Sequence, residues 1–174
     1  MQLLLTRKVT KRLQRELRRA GSQEIGGLLM GEHVDDAVFR VIDISVQRSG
    51  GTVASFVRNP AAHDAELRAF FARTGEDYTR FNYLGEWHSH PSFEPGPSRT
   101  DMRTMQSIAD DPDIGVNFVV LLILTLNGKH RIDATAFAFR PGVDPLPVAI
   151  VDEIVKPAQT VGFAYQRLLR FLGF

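Results

Sequence analysis

The stretch Gly-Glu-Trp-His-Ser-His-Pro, residues 85–91, lies near the middle of this 174-residue chain and is its most informative segment. Its two histidines, His88 and His90, are two residues apart, and on an extended strand such residues point to the same face. A carboxylate brought back by a short loop would complete a set of three metal ligands. Three protein ligands leave the fourth position of a tetrahedral zinc ion open, which distinguishes catalytic from structural zinc sites. The stretch therefore predicts a metal-dependent hydrolase whose ligands are carried by a strand.

Composition narrows the chemistry that such a set can have. The chain contains no cysteine, which excludes disulfides, thiol nucleophiles and cysteine-bound zinc, and leaves His, Asp and Glu as ligands. Its length and its 44% hydrophobic residues fit a single domain over residues 1–174. Its apolar runs are too short for a signal peptide or a membrane span. We therefore expect a soluble protein, and the absence of cysteine is compatible with a cytoplasmic location.

The net charge of +1 is unevenly distributed along the chain. Residues 1–19 contain seven basic residues and a single acidic one, Glu16, so the remainder is slightly acidic. A basic helix can bind an acidic partner or a nucleic acid. However, Val9, Leu13 and Leu17 recur every four residues, which favours a helix that buries an apolar side and exposes its basic side to solvent. We do not expect nucleic acid as a partner.

Hydrophobic periodicity and turn residues predict the secondary structure. The predicted helices cover residues 6–20, 59–73 and 98–109, followed by a C-terminal amphipathic helix from residue 157. The predicted strands cover residues 24–30, 38–46, 55–58, 82–90 and 148–155, with a polar turn at 31–36 and a hairpin of 117–126 and 130–139 around Asn127-Gly128. This order predicts an α+β fold, in which a mixed sheet is flanked by helices in a three-layer arrangement.

Each candidate site residue also has an ordinary structural explanation. A histidine on a half-buried strand is usually structural, and a pair at this spacing is weak evidence for a metal. Asp101 suits the first turn of a helix, and Ser98 suits its N-cap, because the two have the spacing of a capping box. Each of these explanations is reasonable for one residue alone. They are harder to accept as separate coincidences when an upstream glutamate, Glu24, occurs with the other candidates. The remaining histidines have no matching partner and are interpreted as bystanders: His33, His63 and His130.

Taken together, these residues resemble a family motif. Glu24, then His88-Ser89-His90, seven residues, Ser98, two residues and Asp101 resemble the JAMM/MPN+ metalloprotease motif in residue type and in spacing. The helix before the glutamate strand and the helix between the glutamate and histidine strands also resemble this family. The resemblance covers most of the chain, from the first helix through the central hairpin. It implies the cytidine-deaminase-like JAB/MPN fold, with a mixed, curved sheet flanked by helices.

The resemblance also implies a role for each residue of the motif. His88, His90 and Asp101 would bind one zinc ion per chain, with a water molecule in the fourth position. Glu24 would take a proton from this water and pass it to the leaving amine. Ser98 would donate a hydrogen bond to the oxyanion of the tetrahedral intermediate, or hold that region in place.

The substrate class is likewise an implication of the resemblance. JAMM family members mostly cleave the amide bond after the C-terminal glycine of ubiquitin or a ubiquitin-like protein, often an isopeptide bond to lysine. Such a tail would add as a strand to a sheet edge, for which residues 52–58 are a candidate, with a simple connecting loop as the alternative. The short stretch 110–115 shows no zinc-bearing insertion, so the chain looks more like a stand-alone prokaryotic member.

This form is similar to the deconjugating peptidases of bacterial CBASS anti-phage systems. These remove conjugates joined to the C-terminus of a cGAS-like nucleotidyltransferase, so the expected partner is that tail, or the tail of a ubiquitin-like protein, with its conjugates. One alternative is a processing peptidase that trims a ubiquitin-like sulfur-carrier precursor. Another is a non-catalytic MPN scaffold, against which the complete set of five residues argues. The sequence leaves the substrate protein, the preference for isopeptide or linear bonds, and homo-oligomerisation undetermined.

Overall fold

The computed structural model describes residues 1–48, 63–91, 94–128 and 131–152 of the chain. Within these residues there are eight strands and three helices. The strands are β1 (Gln2–Leu5), β2 (Gly26–Asp35), β3 (Val38–Ile44), β4 (Phe81–Ser89), β5 (Val119–Leu126), β6 (Ile132–Arg140), β7 (Val143–Pro147) and β8 (Ala149–Asp152). The helices are α1 (Arg7–Ala20), α2 (Asp64–Arg73) and α3 (Arg99–Asp110). None of these helices is long and apolar enough to cross a membrane.

The strands form one mixed sheet in the order β7-β6-β5-β4-β2-β3-β1-β8. Strand β4 lies in the middle, antiparallel to β2 and parallel to β5. Strand β1 is parallel to both β3 and β8, and β5 and β6 form the hairpin predicted around Asn127-Gly128. The predicted α+β class is therefore confirmed, and the strand that carries the two histidines occupies the centre of the sheet.

Helices α1 and α3 cover opposite faces of this sheet. Strand β5 shows the division, because its successive apolar residues point alternately to the two sides. Val120, Leu122 and Leu124 belong to the core cluster that contains the apolar side of α1. The intervening residues Val119, Leu121 and Ile123 pack instead with Met105 and Ala109 of α3. A strand buried on both faces explains the continuous apolar run of β5, and it confirms the three-layer arrangement.

The helix boundaries follow from their capping residues. Helix α1 begins after Thr6, whose hydroxyl accepts a hydrogen bond from Val9 N, and it ends at Gly21, which has a φ of 62°. Helix α3 begins after Ser98 with the predicted capping box. Helix α2 differs from the prediction, because it begins at Asp64, after His63, and only Phe70 of its apolar residues is buried. The helix start predicted at residues 59–60 lies outside the described residues.

Three strand predictions need correction. The predicted turn at 31–36 is wrong, because β2 continues to Asp35 and its partly buried glutamate, Glu32, is paired with Arg40 of β3 and with Arg80. Strand β1 was not predicted, because four residues are too few to show a period of two. The strand predicted at 148–155 is present as β8 as far as the described residues extend, and the short proline-containing edge strand β7, which precedes it, was not predicted. The predicted strand at 55–58 and the helix from residue 157 lie outside the described residues.

Strand β2 is approached closely by a neighbouring segment, as the glycine pair at its start, Gly26-Gly27, predicts. A Cβ atom on Gly27 would lie 2.1 Å from the carbonyl oxygen of Ser45, much closer than any non-bonded contact allows. The same carbonyl oxygen accepts a hydrogen bond of 3.0 Å from the indole nitrogen of Trp87, the residue that faces Gly27 across the ladder. Glycine at position 27 therefore allows the fully buried Trp87 to satisfy its polar atom.

Candidate metal centre

The two histidines of the motif meet at the end of β4. His88 is the penultimate residue of this strand, and His90 follows the strand, where its backbone N–H donates to Leu124 of β5. The Nε2 atoms of the two rings are 3.1 Å apart. Because β4 is central and flanked by two strands, both rings are attached to a backbone that is held on either side.

Asp101 reaches this pair from the first turn of α3. Its Oδ2 atom lies 3.7 Å from Nε2 of His88. One ligand atom from each of the three residues lies within 4.8 Å of the others, which makes them a group able to hold a metal ion. Two ligands of a tetrahedral zinc ion, each at about 2.0–2.1 Å from it, are about 3.3 Å apart. The observed separations lie on either side of this value, so the three side chains fit zinc.

The carboxylate of Asp101 is held by the helix cap. The Ser98 backbone N–H donates to its Oδ2 at 2.8 Å, and the Asp101 backbone N–H donates to the Ser98 hydroxyl oxygen at 3.1 Å. Burial by itself would raise the pKa of Asp101, but the hydrogen bonds and charge of His88 and the bonds from Ser98 lower it to about 2. The side chain is therefore ionised at neutral pH, as a metal ligand must be.

The ring of His90 is oriented for metal binding. Burial lowers its pKa, and the neighbouring His88 lowers it further, whereas Asp101 and a hydrogen bond with the Glu94 backbone raise it. Such a bond raises a histidine pKa when the ring is the donor. The Nε2 atom of this ring lies 3.1 Å from Nε2 of His88, so it faces the other candidate ligands.

Glu24 lies beside this group, immediately before β2. Gly26 pairs with His88 across the ladder, so the same antiparallel register extended by two residues brings Glu24 opposite His90. The Glu24 side chain is buried, with 4% of its surface exposed. Burial raises its pKa, while the charge of His88 lowers it and the charge of Asp101 raises it. Its electrostatic coupling to both residues places the carboxyl group near the three candidate ligands.

The loop before α3 brings the hydroxyl of Ser98 to the same place. The Thr135 hydroxyl of β6 donates to the carbonyl oxygen of Pro95, which ties this loop to the sheet. The Ser98 hydroxyl accepts from Asp101, and a hydroxyl that accepts one bond still has its own proton to donate. The structure thus brings together all five residues that the sequence nominated; their chemical roles remain predictions.

The other histidines have different environments. His33 stacks on Phe39 with ring centroids 5.0 Å apart, which agrees with its interpretation as a bystander. His63 is not in a helix as predicted: it precedes α2, is buried, and its Nδ1 atom is 2.7 Å from the Ser45 hydroxyl. His130 lies outside the described residues. Sequence reasoning also gave no role to Ser89, whose buried hydroxyl accepts a hydrogen bond from Ile25 N; its position between the two histidines was the available signal.

Comparison with known proteins identifies the family. A family model described as prokaryotic homologs of the JAB domain matches residues 6–139, which include every residue of the candidate site. The chain belongs to the prokaryotic JAB family. The predicted relationship to JAMM/MPN+ proteins is thereby confirmed, and the matched part of this JAB chain extends from α1 into β6.

Curated relatives of the JAB chain come from bacteria and eukaryotes. The CD-NTase/cGAS isopeptidase of Enterobacter hormaechei subsp. hoffmannii is 30% identical over 125 residues, covering 70% of this chain and 66% of the relative. The ubiquitin carboxyl-terminal hydrolase RPN11 of Saccharomyces cerevisiae is 33% identical over 117 residues, or 67% of this chain and 37% of the relative. The 26S proteasome non-ATPase regulatory subunit 14 of Caenorhabditis elegans is 34% identical over 143 residues, or 82% and 42%. The chain therefore spans between about a third and two thirds of these relatives.

A solved structure supports the fold. The solution structure of protein DSY2949 from Desulfitobacterium hafniense superposes with a TM-score of 0.63 at 19% identity, covering 87% of this chain and 92% of that one. At this level of identity the likeness concerns the fold alone.

Proposed function

We propose that this JAB protein is a zinc-dependent isopeptidase, which hydrolyses the amide bond after the C-terminal tail of a ubiquitin-like protein or of a cGAS-like nucleotidyltransferase joined to a target. The observation that carries the proposal is the convergence of His88, His90 and Asp101 with a buried carboxyl group, Glu24, beside them. Three ligands and a nearby base are the components that metal-assisted hydrolysis requires.

The donor set fits one zinc ion. Two neutral imidazole nitrogens and one carboxylate oxygen are common ligands of catalytic zinc, and three protein ligands leave a position for water. Zinc bound in this way lowers the pKa of water to about 7 and polarises a carbonyl group. The protein's own part is to hold the ligands: Asp101 by the cap of α3, and His90 through its backbone N–H, which donates to Leu124 O of β5.

Glu24 is the proposed general base. It takes a proton from the attacking water and later gives it to the nitrogen of the leaving amine. The burial that raises its pKa brings the carboxyl group closer to the working pH, where a base both accepts and returns protons effectively. The carboxyl group performs this role from a strand next to that of the ligand histidines.

Ser98 is the proposed oxyanion donor. As negative charge develops on the carbonyl oxygen of the scissile bond, the O–H of Ser98 donates a hydrogen bond to that oxygen. Its position is set by the bond from Asp101 N to its oxygen, so the donor is oriented before the substrate arrives.

The substrate class is supported by the relatives. One relative is named a CD-NTase/cGAS isopeptidase and another a ubiquitin carboxyl-terminal hydrolase, and both names support a conjugated protein tail as the substrate. The resemblance of the chain to CBASS peptidases, together with this bacterial relative, is the basis for proposing a role in anti-phage defence within the cytoplasm. The complete group of ligands and base argues against a scaffold without catalytic activity.

Metal analysis and cleavage assays test the proposal together. The purified protein should contain about one zinc per chain and should cleave a cGAS-like or ubiquitin-like tail joined to lysine, and a chelator should abolish the cleavage. Glu24→Gln should keep zinc and lose at least about 100-fold in kcat, because the general base contributes about 10²–10⁴. His88→Ala should lose zinc, and Glu66→Gln on the exposed surface of α2 is the control that should retain both. Cleavage that persists in chelator, or in Glu24→Gln, would refute this mechanism.

A further inference from the structure

The hydrogen-bond ladder between β2 and β4 changes its pattern beside the candidate site. Beyond the Gly26–His88 pair, the next opposed residues are Ile25 and Ser89. The Ser89 backbone N–H donates to the Ile25 carbonyl at 2.8 Å, as in an ordinary antiparallel pair. The return bond runs from the Ile25 N–H to the hydroxyl oxygen of Ser89, at 3.0 Å. In a regular pair of this kind both bonds join backbone atoms, so here a side chain replaces a backbone carbonyl as acceptor.

This hydroxyl is connected to the reacting groups on both sides. The Ile25 nitrogen that it holds belongs to the peptide bond with Glu24, and Ser89 itself is joined covalently to His88 and to His90. The His90 backbone is fixed in turn by its bond to Leu124 O, at 2.8 Å. The segment that carries the two histidines is thus bonded to β5. The Ser89 hydroxyl in turn holds the backbone next to Glu24 against this segment.

The bond is also well shielded from solvent. Ser89 and Ile25 are only 2% and 1% exposed. If the hydroxyl were removed, the Ile25 N–H would have to find another acceptor, because an unpaired buried N–H is costly. The nearest alternative acceptor is the Ser89 carbonyl, as in an ordinary ladder pair. Bonding to it would move Glu24 toward His90.

We propose that Ser89 is a positioning residue that sets the distance between the Glu24 carboxyl group and the candidate ligands His88 and His90, because its hydroxyl completes the last ladder pair in place of a backbone carbonyl. This inference rests on the proposed function, in which Glu24 is the base. The inference gives Ser89 a role in positioning the base that is separate from metal binding.

Ser45 provides a matched control. Its hydroxyl is equally buried, at 0% exposure, and accepts a hydrogen bond of 2.8 Å from Leu28 N of the same strand. Ser45→Ala therefore removes the same kind of bond from β2, three residues further from Glu24, and in addition the 2.7 Å contact with Nδ1 of His63, so it disturbs the fold at least as much as Ser89→Ala. A purely structural role for both serines predicts that the two alanine variants behave alike.

The experiment compares Ser89→Ala, Ser89→Thr and Ser45→Ala in the full chain. Hydrogen exchange of the Ile25 amide in the metal-free protein should become about tenfold faster or more in Ser89→Ala, which corresponds to losing one buried hydrogen bond. With zinc bound, Ser89→Ala should lose about 10–100-fold in kcat on an isopeptide-linked tail substrate, while KM and zinc content stay unchanged, because misplacing a reacting group by about 1 Å can cost 100-fold. Ser89→Thr, which keeps a hydroxyl, should recover kcat, and Ser45→Ala should retain it.

Several results would overturn the proposal. These are unchanged Ile25 exchange in Ser89→Ala, full kcat in that variant, an equal loss of kcat in Ser45→Ala, or loss of zinc instead of kcat. If the zinc-loaded wild type cleaves no tail substrate, the proposed function fails. The positioning role of Ser89 is then tested by the position of the Glu24 carboxyl group. Crystal structures of zinc-loaded wild type and Ser89→Ala should differ in the distance from the Glu24 carboxyl group to zinc, and equal distances would overturn it.

Discussion

Asp101 is both a helix cap and a candidate metal ligand, and two substitutions separate these roles. Asp101→Asn keeps an oxygen that can accept the Ser98 N–H but loses the negative charge, whereas Asp101→Ala loses both. The folded-state pKa of about 2, against an ordinary value of 3.8, means that the ionised carboxylate stabilises the metal-free fold by on the order of 2 kcal/mol at pH 7. Asn should lose most of this energy, and Ala should lose about 1 kcal/mol more, the value of a lost cap bond.

The pH dependence has a definite sign. Because the pKa is lowered on folding, the contribution of Asp101 is fully present above about pH 4 and disappears as the pH falls toward 2. Urea denaturation of chelator-treated protein between pH 2.5 and 7 should therefore show the wild type and Asp101→Asn converging at low pH. Both variants should also bind zinc at least about 100-fold more weakly in a competition assay with a chromophoric chelator, since removing a ligand exceeds the 10–100-fold effect of removing its supporting partner.

Two outcomes would refute this reasoning. Zinc affinity equal to the wild type in Asp101→Asn would show that the carboxylate is not a ligand. Equal stability of Asp101→Asn and Asp101→Ala would show that the 2.8 Å bond from the Ser98 N–H contributes nothing to the start of α3. A matched substitution at the other end of the same helix, Asp110→Asn, should change zinc affinity in neither direction.

Three further predictions concern stability and activity. Gly27→Ala should lower the free energy of unfolding by more than about 2 kcal/mol in chemical denaturation, because its Cβ would lie 2.1 Å from the Ser45 carbonyl oxygen, whereas Gly128→Ala, with nothing within 4 Å, should have little effect. Hydrogen bonds from its two arginine partners lower the pKa of Glu32, so its contribution, up to about 1 kcal/mol, is present at pH 7 and lost below about pH 4; Glu32→Gln should differ in stability from the wild type only above that range. Ser98→Ala should cost about 1 kcal/mol of stability as a lost cap and about 100-fold in kcat as a lost oxyanion donor, and a variant that loses only stability would restrict Ser98 to capping.

Local rules were sufficient to place the candidate ligands, although the resemblance to the family motif was needed to nominate them. Strand alternation alone brings His88 and His90 to one face, and a capping box alone places the Asp101 carboxylate at the start of α3. Both rules act over a few residues, and the structure agrees with them. The hairpin around Asn127-Gly128 was predicted for the same reason, since Asn-Gly between two apolar segments is a local turn signal.

The elements that were missed depend on distant contacts. Strand β1 is stabilised by β3 and β8, which pair with it from 36 or more positions further along the chain, and a four-residue segment shows too little periodicity to indicate this. The end of β2 resembles a turn because its sequence is polar. It forms a strand because Glu32 is paired with Arg40 and Arg80, which lie 8 and 48 residues further along the chain. His63 was misplaced because its environment depends on Ser45, which is separated from it by 18 residues.

The proximity of Glu24 to the histidines is also a long-range property, and it depends on register. A slip of one residue between β2 and β4 would turn Glu24 to the other face of the sheet and leave the ligands without a base. Two contacts oppose such a slip: Gly27 faces Trp87 where the indole bonds to the Ser45 carbonyl, and Ile25 is held by the Ser89 hydroxyl. Burial of the single tryptophan therefore contributes to the register that holds Glu24 beside the candidate ligands. A variant that weakens the Trp87 contact should reduce kcat as well as stability, even though Trp87 lies on the face opposite the ligands.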